Sequence, residues 1–286
     1  MSVKVEKLIY TYSKGAPFEK RALDNVSFEI EKGSYIGIIG HTGSGKSTLV
    51  QHLNGLIKPD SGHIYINGTD ITQKGTDLKK IRSQVGMVFQ YPEHQLFEET
   101  VYKDIAYGPD NMGLTEQEIK KSVLNACELI NLDLELMNRS PFELSGGQKR
   151  KVAIAGVLAM NPDIIILDEP TAGLDPKGRC ELLELISNLH KNSNKTVIVV
   201  SHSMEDIAKS AQKVMVMSNA RLALFDTPEN VFKERELLKS IGLDVPEITR
   251  IIQKLKENGI DLGGDFYTVE DAYSAIVNYL NNKNRS

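Results

Sequence analysis

The chain begins with alternation. SVKVEKLIYTY trades apolar and polar positions as a half-buried strand does, the polar loop SKGAPFEKR follows, and ALDNVSFEI alternates again. After the Lys32-Gly33 pair the pattern changes to a continuous apolar run, SYIGIIG, which leads into HTGSGKSTLVQHLNG. The order predicted is strand, loop, strand, turn, strand, helix. SGHIYINGTDIT predicts a short hairpin and VGMVFQ a buried strand. LTEQEIKKSVLNACELI predicts a helix capped by Thr115 with Glu118 as its box partner, its apolar face carried by Ile119, Val123, Cys127 and Ile130. ELSGGQKR opens a further helix, KVAIAGVLAM, and the run DIIILDEP, a helix over 177–190, the run KTVIVVSH, and one more helix and strand follow. Continuous apolar runs separated by helices predict an α/β fold with a parallel sheet covered on both faces.

Beyond Thr227 the pattern is helical. Ile248, Ile251, Ile252 and Leu255 share one face, and Thr268 with Asp271 caps a last helix bearing Ala272, Ile276 and Leu280. These stripes need cover, either from the chain's own domain or from another subunit. No internal repeat, low-complexity tract or long linker interrupts the chain.

Length and charge narrow the classes. With 286 residues the chain has room for one large domain and a small appendage. A formal charge of −4 and a pI near 5.9 argue against a general nucleic-acid coat, so no nucleic-acid partner is expected. The two cysteines, Cys127 and Cys180, have no partner at metal spacing and indicate neither a zinc site nor a disulfide framework. No apolar run approaches the roughly 18 residues of a membrane span, and residues 1–10 lack the basic start and apolar centre of a secretory signal. The expectation is a chain made and kept in the cytosol.

The chemistry is concentrated in a few motifs. Residues 40–47, GHTGSGKS, fit GxxxxGK[ST] between a predicted strand and a predicted helix, the context of a phosphate-binding P-loop. Gly40, His41, Thr42, Gly43, Ser44, Gly45, Lys46, Ser47 and Thr48 are therefore nucleotide-binding candidates. Backbone N–H groups would cradle phosphate oxygens, Lys46 would reach the β and γ phosphates of ATP, and Ser47 would offer its hydroxyl to Mg²⁺. In DIIILDEP, Asp168 ends a buried strand and suits the Mg²⁺ shell, while Glu169 can polarise the attacking water. His202 ends KTVIVVSH, where either the γ phosphate or the water is within its reach, and Gln90 ends VGMVFQ as a neutral ligand for metal or water. Tyr12 is a candidate to stack on the adenine, with Tyr10 and Phe18 in competition.

LSGGQ places two glycines at a helix N-terminus, where unpaired N–H groups and the helix dipole attract anions. It does not fit GxxxxGK[ST], so it is expected to form half a nucleotide site rather than a second complete one. Here the sequence resembles the ABC ATPase family. The resemblance implies that Ser145, Gly146, Gly147 and Gln148 form the signature that covers the ATP held by a second ATPase subunit. It further implies that Gln90 is the Q-loop residue, Asp168 and Glu169 the Walker B acid and catalytic base, and Asp175 the D-loop aspartate. His202 is then the switch histidine and Tyr12 the A-loop aromatic. The chain departs from the pattern at Ala172-Gly173, where many members have Ser-Ala.

The implied fold is a P-loop NTPase of ABC type with a mainly parallel core sheet, an antiparallel β subdomain, an α-helical signature subdomain and a small helical C-terminal appendage. The nucleotide-binding domain would span 1–227, its helical subdomain about 91–160, and the helical C-terminal domain 228–286. YPEHQLFEETVYKDIAYGP, SPFELSGGQKRKVAIAGVLAM, DEPTAGLDPKGR and the helical tail are similar to the A-subunits of energy-coupling factor importers, and to the second of their two A-types. That resemblance implies a second ATPase subunit, a membrane T-subunit and a substrate-binding S-subunit. It implies work at the cytoplasmic face of the cell membrane, importing a vitamin or a metal such as cobalt or nickel. Within residues 92–100, Leu96 and Phe97 with Glu93, Glu98 and Glu99 would meet the T-subunit. The alternatives are the ATPase of a conventional ABC importer or exporter and a soluble ABC ATPase. The short interval from Lys46 to Leu144 and the single cassette disfavour the soluble one, and LSGGQ with DEPTAGLD disfavours a metabolite kinase.

Overall fold

Two cores arise from one sheet. In the computed structural model, which describes residues 1–283, six strands lie in the order β10-β9-β3-β8-β7-β6. They are β3 (Tyr35–Ile39), β6 (Val85–Val88), β7 (Ile164–Asp168), β8 (Thr196–Val200), β9 (Lys213–Ser218) and β10 (Arg221–Asp226). All neighbours are parallel except β10, which runs antiparallel to β9. Every residue of β3, β6, β7 and β8 is buried, so side chains alternate between two apolar layers rather than between core and water. Tyr35, Ile39, Val197, Val199, Ile165 and Leu167 enter one cluster, whereas Ile36, Ile38, Ile198, Val200, Ile164 and Ile166 enter the other.

The second cluster is closed by an antiparallel sheet of order β2-β1-β4-β5, built from β1 (Val3–Tyr12), β2 (Lys20–Ile30), β4 (Ser61–Ile66) and β5 (Thr69–Asp70). Helix α1 (Lys46–Leu53) lies between the layers, contributing Leu49, Val50 and Leu53. The strands of this sheet carry polar residues outward, and β2 alternates buried and exposed positions over its second half.

Helices close the first cluster. After α2 (Leu78–Gln84), capped by Asp77, come α3 (Val101–Asn111), α4 (Glu116–Leu129) and α5 (Gly146–Ala159). The Thr115 N–H and hydroxyl donate to the Glu118 carboxylate at 2.8 and 2.7 Å, and Val123, Cys127 and Ile130 are buried with Ile119 packed beside them. Cys127 and Cys180 are both free thiols. Crossover helices α6 (Pro176–Asn192) and α7 (Met204–Ser210) return the chain to β8 and β9.

The tail contains α8 (Pro228–Lys233), α9 (Arg235–Ser240), α10 (Glu247–Glu257) and α11 (Val269–Lys283). Its inner residues Val231, Phe232, Leu238 and Val245 belong to the same cluster as β3 and β8. Glu205 of α7 accepts from the Glu247 N–H, and Lys209 pairs with Glu270. Part of the apolar surface is thus covered by the chain's own domain, while Ile251, Val269, Tyr273 and Leu280 stay exposed. Because Phe232 is fully buried, Phe232→Ala should remove about 3–5 kcal/mol from the unfolding free energy. Urea denaturation followed by circular dichroism should show one shifted transition. Separate melting of the tail with the main transition unmoved would contradict a shared core.

Candidate functional site

Sheet order decides which loops meet. The glycine-rich loop leaves β3, His202 follows β8, Asp168 and Glu169 end β7, and Gln90 follows β6, and these four strands are consecutive parallel neighbours. Their carboxyl ends open on one side of the sheet, where such sheets form ligand crevices.

In the glycine-rich loop Gly45 has φ +108°, and a Cβ there would lie 2.4 Å from the Ala22 carbonyl oxygen. Only glycine permits both. Lys46 is nearly buried and donates to the carbonyl oxygens of Gly40 (2.7 Å) and His41 (3.1 Å). Burial lowers its pKa, against the opposing charges of Glu169 and Asp168. Ser44, Gly45 and Thr48 are also buried, whereas Thr42, Gly43 and Ser47 face solvent and His41 is half-buried.

Asp168 is 6% exposed, and its Oδ1 has no hydrogen-bond partner. Burial raises its pKa, opposed by the Ser47 hydroxyl and by the charges of Lys46 and His202. Glu169 has φ +50°, with its N–H donating to the Val200 carbonyl at 3.0 Å. Burial pushes its carboxyl up to about 7, with Lys46 pulling it down and Asp168 pushing it further up. His202 Nε2 lies 3.2 Å from Glu169 Oε1, but without hydrogen-bond alignment, so that buried oxygen is unsatisfied. Burial also holds His202 below the usual imidazole value, and Lys46 adds to the effect.

The remaining candidates divide. Tyr12 Oη is 3.2 Å from Thr48 Oγ1, putting the exposed ring beside the start of α1, with Tyr10 at its edge. Phe18 is 85% exposed and Tyr10 packs on His52, so the tyrosine bonded to Thr48 is the better placed of the three. Gln90 is exposed two residues past β6. Asp175 caps α6 by accepting from the Gly178 N–H at 2.8 Å.

The signature lies elsewhere. Ser145 Oγ accepts from the Gln148 N–H (3.3 Å) and Gln148 Oε1 from the Ser145 N–H (3.0 Å), a reciprocal cap on α5. Gly146 and Gly147 are exposed, and a Cβ on either would meet nothing within 4 Å. The adjoining cavity is lined by Ser145, Gly147, Gln148 and Lys151 with Leu174 and Glu181, and by no residue of the glycine-rich loop. In that cavity the chain's own LSGGQ segment does not meet its own glycine-rich loop.

The ABC transporter family model matches residues 23–172. The energy-coupling factor transporter ATP-binding protein EcfA2 of Caldanaerobacter subterraneus subsp. tengcongensis is 55% identical over 280 residues, 98% of each chain. The chain belongs to the energy-coupling factor ATP-binding proteins of the ABC transporter family. Among solved structures, cbiO1 from Clostridium perfringens, described as part of the ABC transporter complex cbiONQ, matches with a TM-score of 0.74 at 39% identity. That match covers 88% of this chain and 98% of the other. The ATP-binding cassette MJ0796, in a dimeric post-hydrolysis state bound to ADP and Pi, matches with a TM-score of 0.71 at 30% identity, over 79% and 98% of the two chains. As a family member this ABC subunit is an ATP-binding enzyme, an ATPase, with the P-loop α/β fold.

Two features of this ABC subunit were not expected from its sequence. Lys20, at the start of β2, brings Nζ to the open side of Gly43. Glu93 does not face outward with Glu98 and Glu99, because Arg150 of α5 holds it in a two-point ion pair. Leu96 packs against the core, whereas Phe97 is 57% exposed with its ring edge-on to Tyr107. Among the described residues no helix is long and apolar enough to cross a membrane.

Gly45→Ala should therefore distort the loop from within. We expect Mg-ATP affinity, measured by calorimetry, to fall more than about tenfold, since strain and overpacking together cost on the order of 2 kcal/mol or more. Gly43→Ala, which meets only the flexible end of Lys20, should lose less. Equal losses would show that contact with Ala22 is not what excludes a side chain at position 45.

Proposed function

We propose that this chain is the ATP-hydrolysing motor of an energy-coupling factor importer. Its nucleotide-binding domain would span 1–227 and its helical appendage 228–286. It would act as a peripheral subunit at the cytoplasmic face of the cell membrane. There it would drive uptake of a vitamin or a transition-metal ion such as cobalt or nickel through a T-subunit and a substrate-binding S-subunit. The observation that carries this reading is the gathering of Lys46, Ser47, Asp168, Glu169 and His202 at one sheet edge, apart from an outward-facing signature. A site divided in this way is completed by a second ATPase subunit, placed head to tail so that Ser145, Gly146, Gly147 and Gln148 of each cover the ATP of the other.

In this mechanism Lys46 exchanges the carbonyls of Gly40 and His41 for β- and γ-phosphate oxygens. Gly40 to Thr48 hold the triphosphate through backbone and hydroxyl donors, and Tyr12 stacks on the base. The unsatisfied Asp168 Oδ1, the Ser47 hydroxyl and the Gln90 amide are hard oxygen donors that fit Mg²⁺. When bound there, Mg²⁺ neutralises charge on the phosphates. Glu169 Oε1 takes a proton from the attacking water. Burial pushes this carboxyl up to about 7, which makes it a stronger proton acceptor than a solvated carboxylate. His202, close to that oxygen, orients the water or holds the γ phosphate, and Asp175 faces the partner from the start of α6.

Glu169→Gln should bind Mg-ATP and accumulate as a closed dimer, with hydrolysis reduced at least about a hundredfold. Size-exclusion chromatography with ATP and phosphate release check both halves. Near wild-type turnover would remove Glu169 as the base.

The T-subunit contact is supported by the exposed Phe97 ring, edge-on to the exposed Tyr107 of α3, with Glu98 and Glu99 next to it in the chain; Glu99 is ion-paired with Lys103, and a basic partner helix would compete for that carboxylate. Replacing both Glu98 and Glu99 by lysine should weaken capture of the membrane subunits and uncouple uptake from hydrolysis. Basal ATPase activity should persist because no phosphate ligand changes. Intact assembly and normal uptake would sink the contact.

A further inference from the structure

Arg150 is an unusual tenant of the signature helix. It lies one turn into α5, where a cation opposes the positive end of the helix dipole, and its side chain is 4% exposed. Burial of a guanidinium is costly unless its donors are satisfied. Nε donates to Glu93 Oε2 at 3.0 Å and one Nη to Glu93 Oε1 at 2.8 Å. The other Nη donates to the carbonyl oxygens of Pro170 (3.0 Å) and Ala172 (2.9 Å). One planar group therefore joins three segments, the signature helix, the stretch after Gln90, and the turn that follows Glu169.

That turn needs holding. Glu169 has a left-handed backbone at φ +50°, which costs an L residue of order 1–2 kcal/mol. Within the turn the Ala172 N–H returns to the Glu169 carbonyl at 3.1 Å. Arg150 grips the carbonyls one and three residues beyond the acid, so it fixes the C-terminal side of the strained residue while β8 fixes its N–H. The same two segments approach closely at Gly173, where an added Cβ would come within 3.3 Å of the Tyr91 ring. Glu93 is itself sequestered. Its burial would raise its pKa, yet the Arg150 guanidinium holds it below the usual carboxylate range.

We propose that Arg150 is a positioning residue that ties the segment after Gln90 to the turn carrying Glu169, so that displacement of either is transmitted to the other through one guanidinium. The inference rests on the reading of Glu169 as the base. Lysine cannot replace it fully, because a point charge cannot meet a carboxylate and two carbonyls in one plane. Removing the brace should disorient the Glu169 carboxylate while leaving the phosphate cradle intact. The loss should therefore appear in kcat and not in KM.

The test is steady-state Mg-ATP hydrolysis by the full chain in its assembled transporter. Arg150→Met should lower kcat about tenfold or more with KM changed by less than about twofold, since small misplacements of a reacting group have effects of that size. Arg150→Lys should recover part of the loss, and Glu93→Gln, which keeps shape but not charge, should show a smaller fall of the same kind. The double variant Glu93→Gln/Arg150→Met should be no slower than Arg150→Met alone, because both changes break one contact. Unchanged kcat in Arg150→Met, a rise confined to KM, or additive losses in the double variant would each overturn the proposal. If Arg150→Met does not fold, the nearly isosteric Glu93→Gln decides, and wild-type kcat in it overturns the brace. Full turnover in Glu169→Gln, measured alongside, would instead overturn the base assignment beneath it.

Discussion

Burial of the parallel sheet on both faces governs the rest of the molecule. Strands β3, β8 and β7 present alternate side chains to two different apolar clusters, so neither face can be left to water. Parallel neighbours must be joined by crossovers, and crossovers bring each of the parallel strands to the same edge with its carboxyl end. Lys46, His202, Asp168 and Gln90 are remote in sequence but leave the sheet on that edge because the strands beneath them cannot run any other way. The reactive edge is a by-product of how the core is closed.

Chemistry at this edge depends on keeping charge out of water. Lys46 and Asp168 are nearly buried and Glu169 is largely so; Lys46 lowers both carboxyls while both raise it, and Asp168 pushes Glu169 further up. The start of α5 is built by the opposite device. Ser145 and Gln148 satisfy one another, so their side chains are occupied within the cap, and the glycines between them leave a surface onto which a second body can come close. One region is a recess with strained, unsatisfied groups, and the other is a relaxed, capped helix end beside a shallow cavity.

The sequence made the recess legible because its parts are short motifs at strand ends. GHTGSGKS and DIIILDEP each carry a strand's apolar run and a loop's chemistry within a few residues, and KTVIVVSH adds a histidine at the same level. Helices α2 and α3 were harder to see. Only Ile81 of α2 is buried, which leaves no period to detect, although Asp77 is a legible cap. In α3 the pair Gly108-Pro109 looks like a break, yet the helix runs through both, and position 108 is a glycine because a Cβ there would lie 2.6 Å from Met160 Cγ. Glu93 and Arg150 were opaque for a different reason. They are 57 residues apart, in a segment and a helix each rich in ordinary surface charges, and nothing local distinguishes a cation that will be enclosed by carbonyls from one that will be solvated. The tail showed its helical period but not how its two ends differ, since Phe232 and Leu280 look alike until one is packed and the other is not.

Glu169 carries a burden that follows from its backbone. It is a non-glycine residue in left-handed geometry, immediately before a proline, with a buried oxygen that has no hydrogen-bond donor. Each of these lowers the stability of the folded chain. Glycine would relieve the backbone and remove the unsatisfied oxygen in one substitution. With Glu169 as the base proposed above, thermal stability and turnover would select in opposite directions at this position. A library of this chain screened only for heat resistance would then enrich replacements at Glu169, and with them enzymes that no longer turn over.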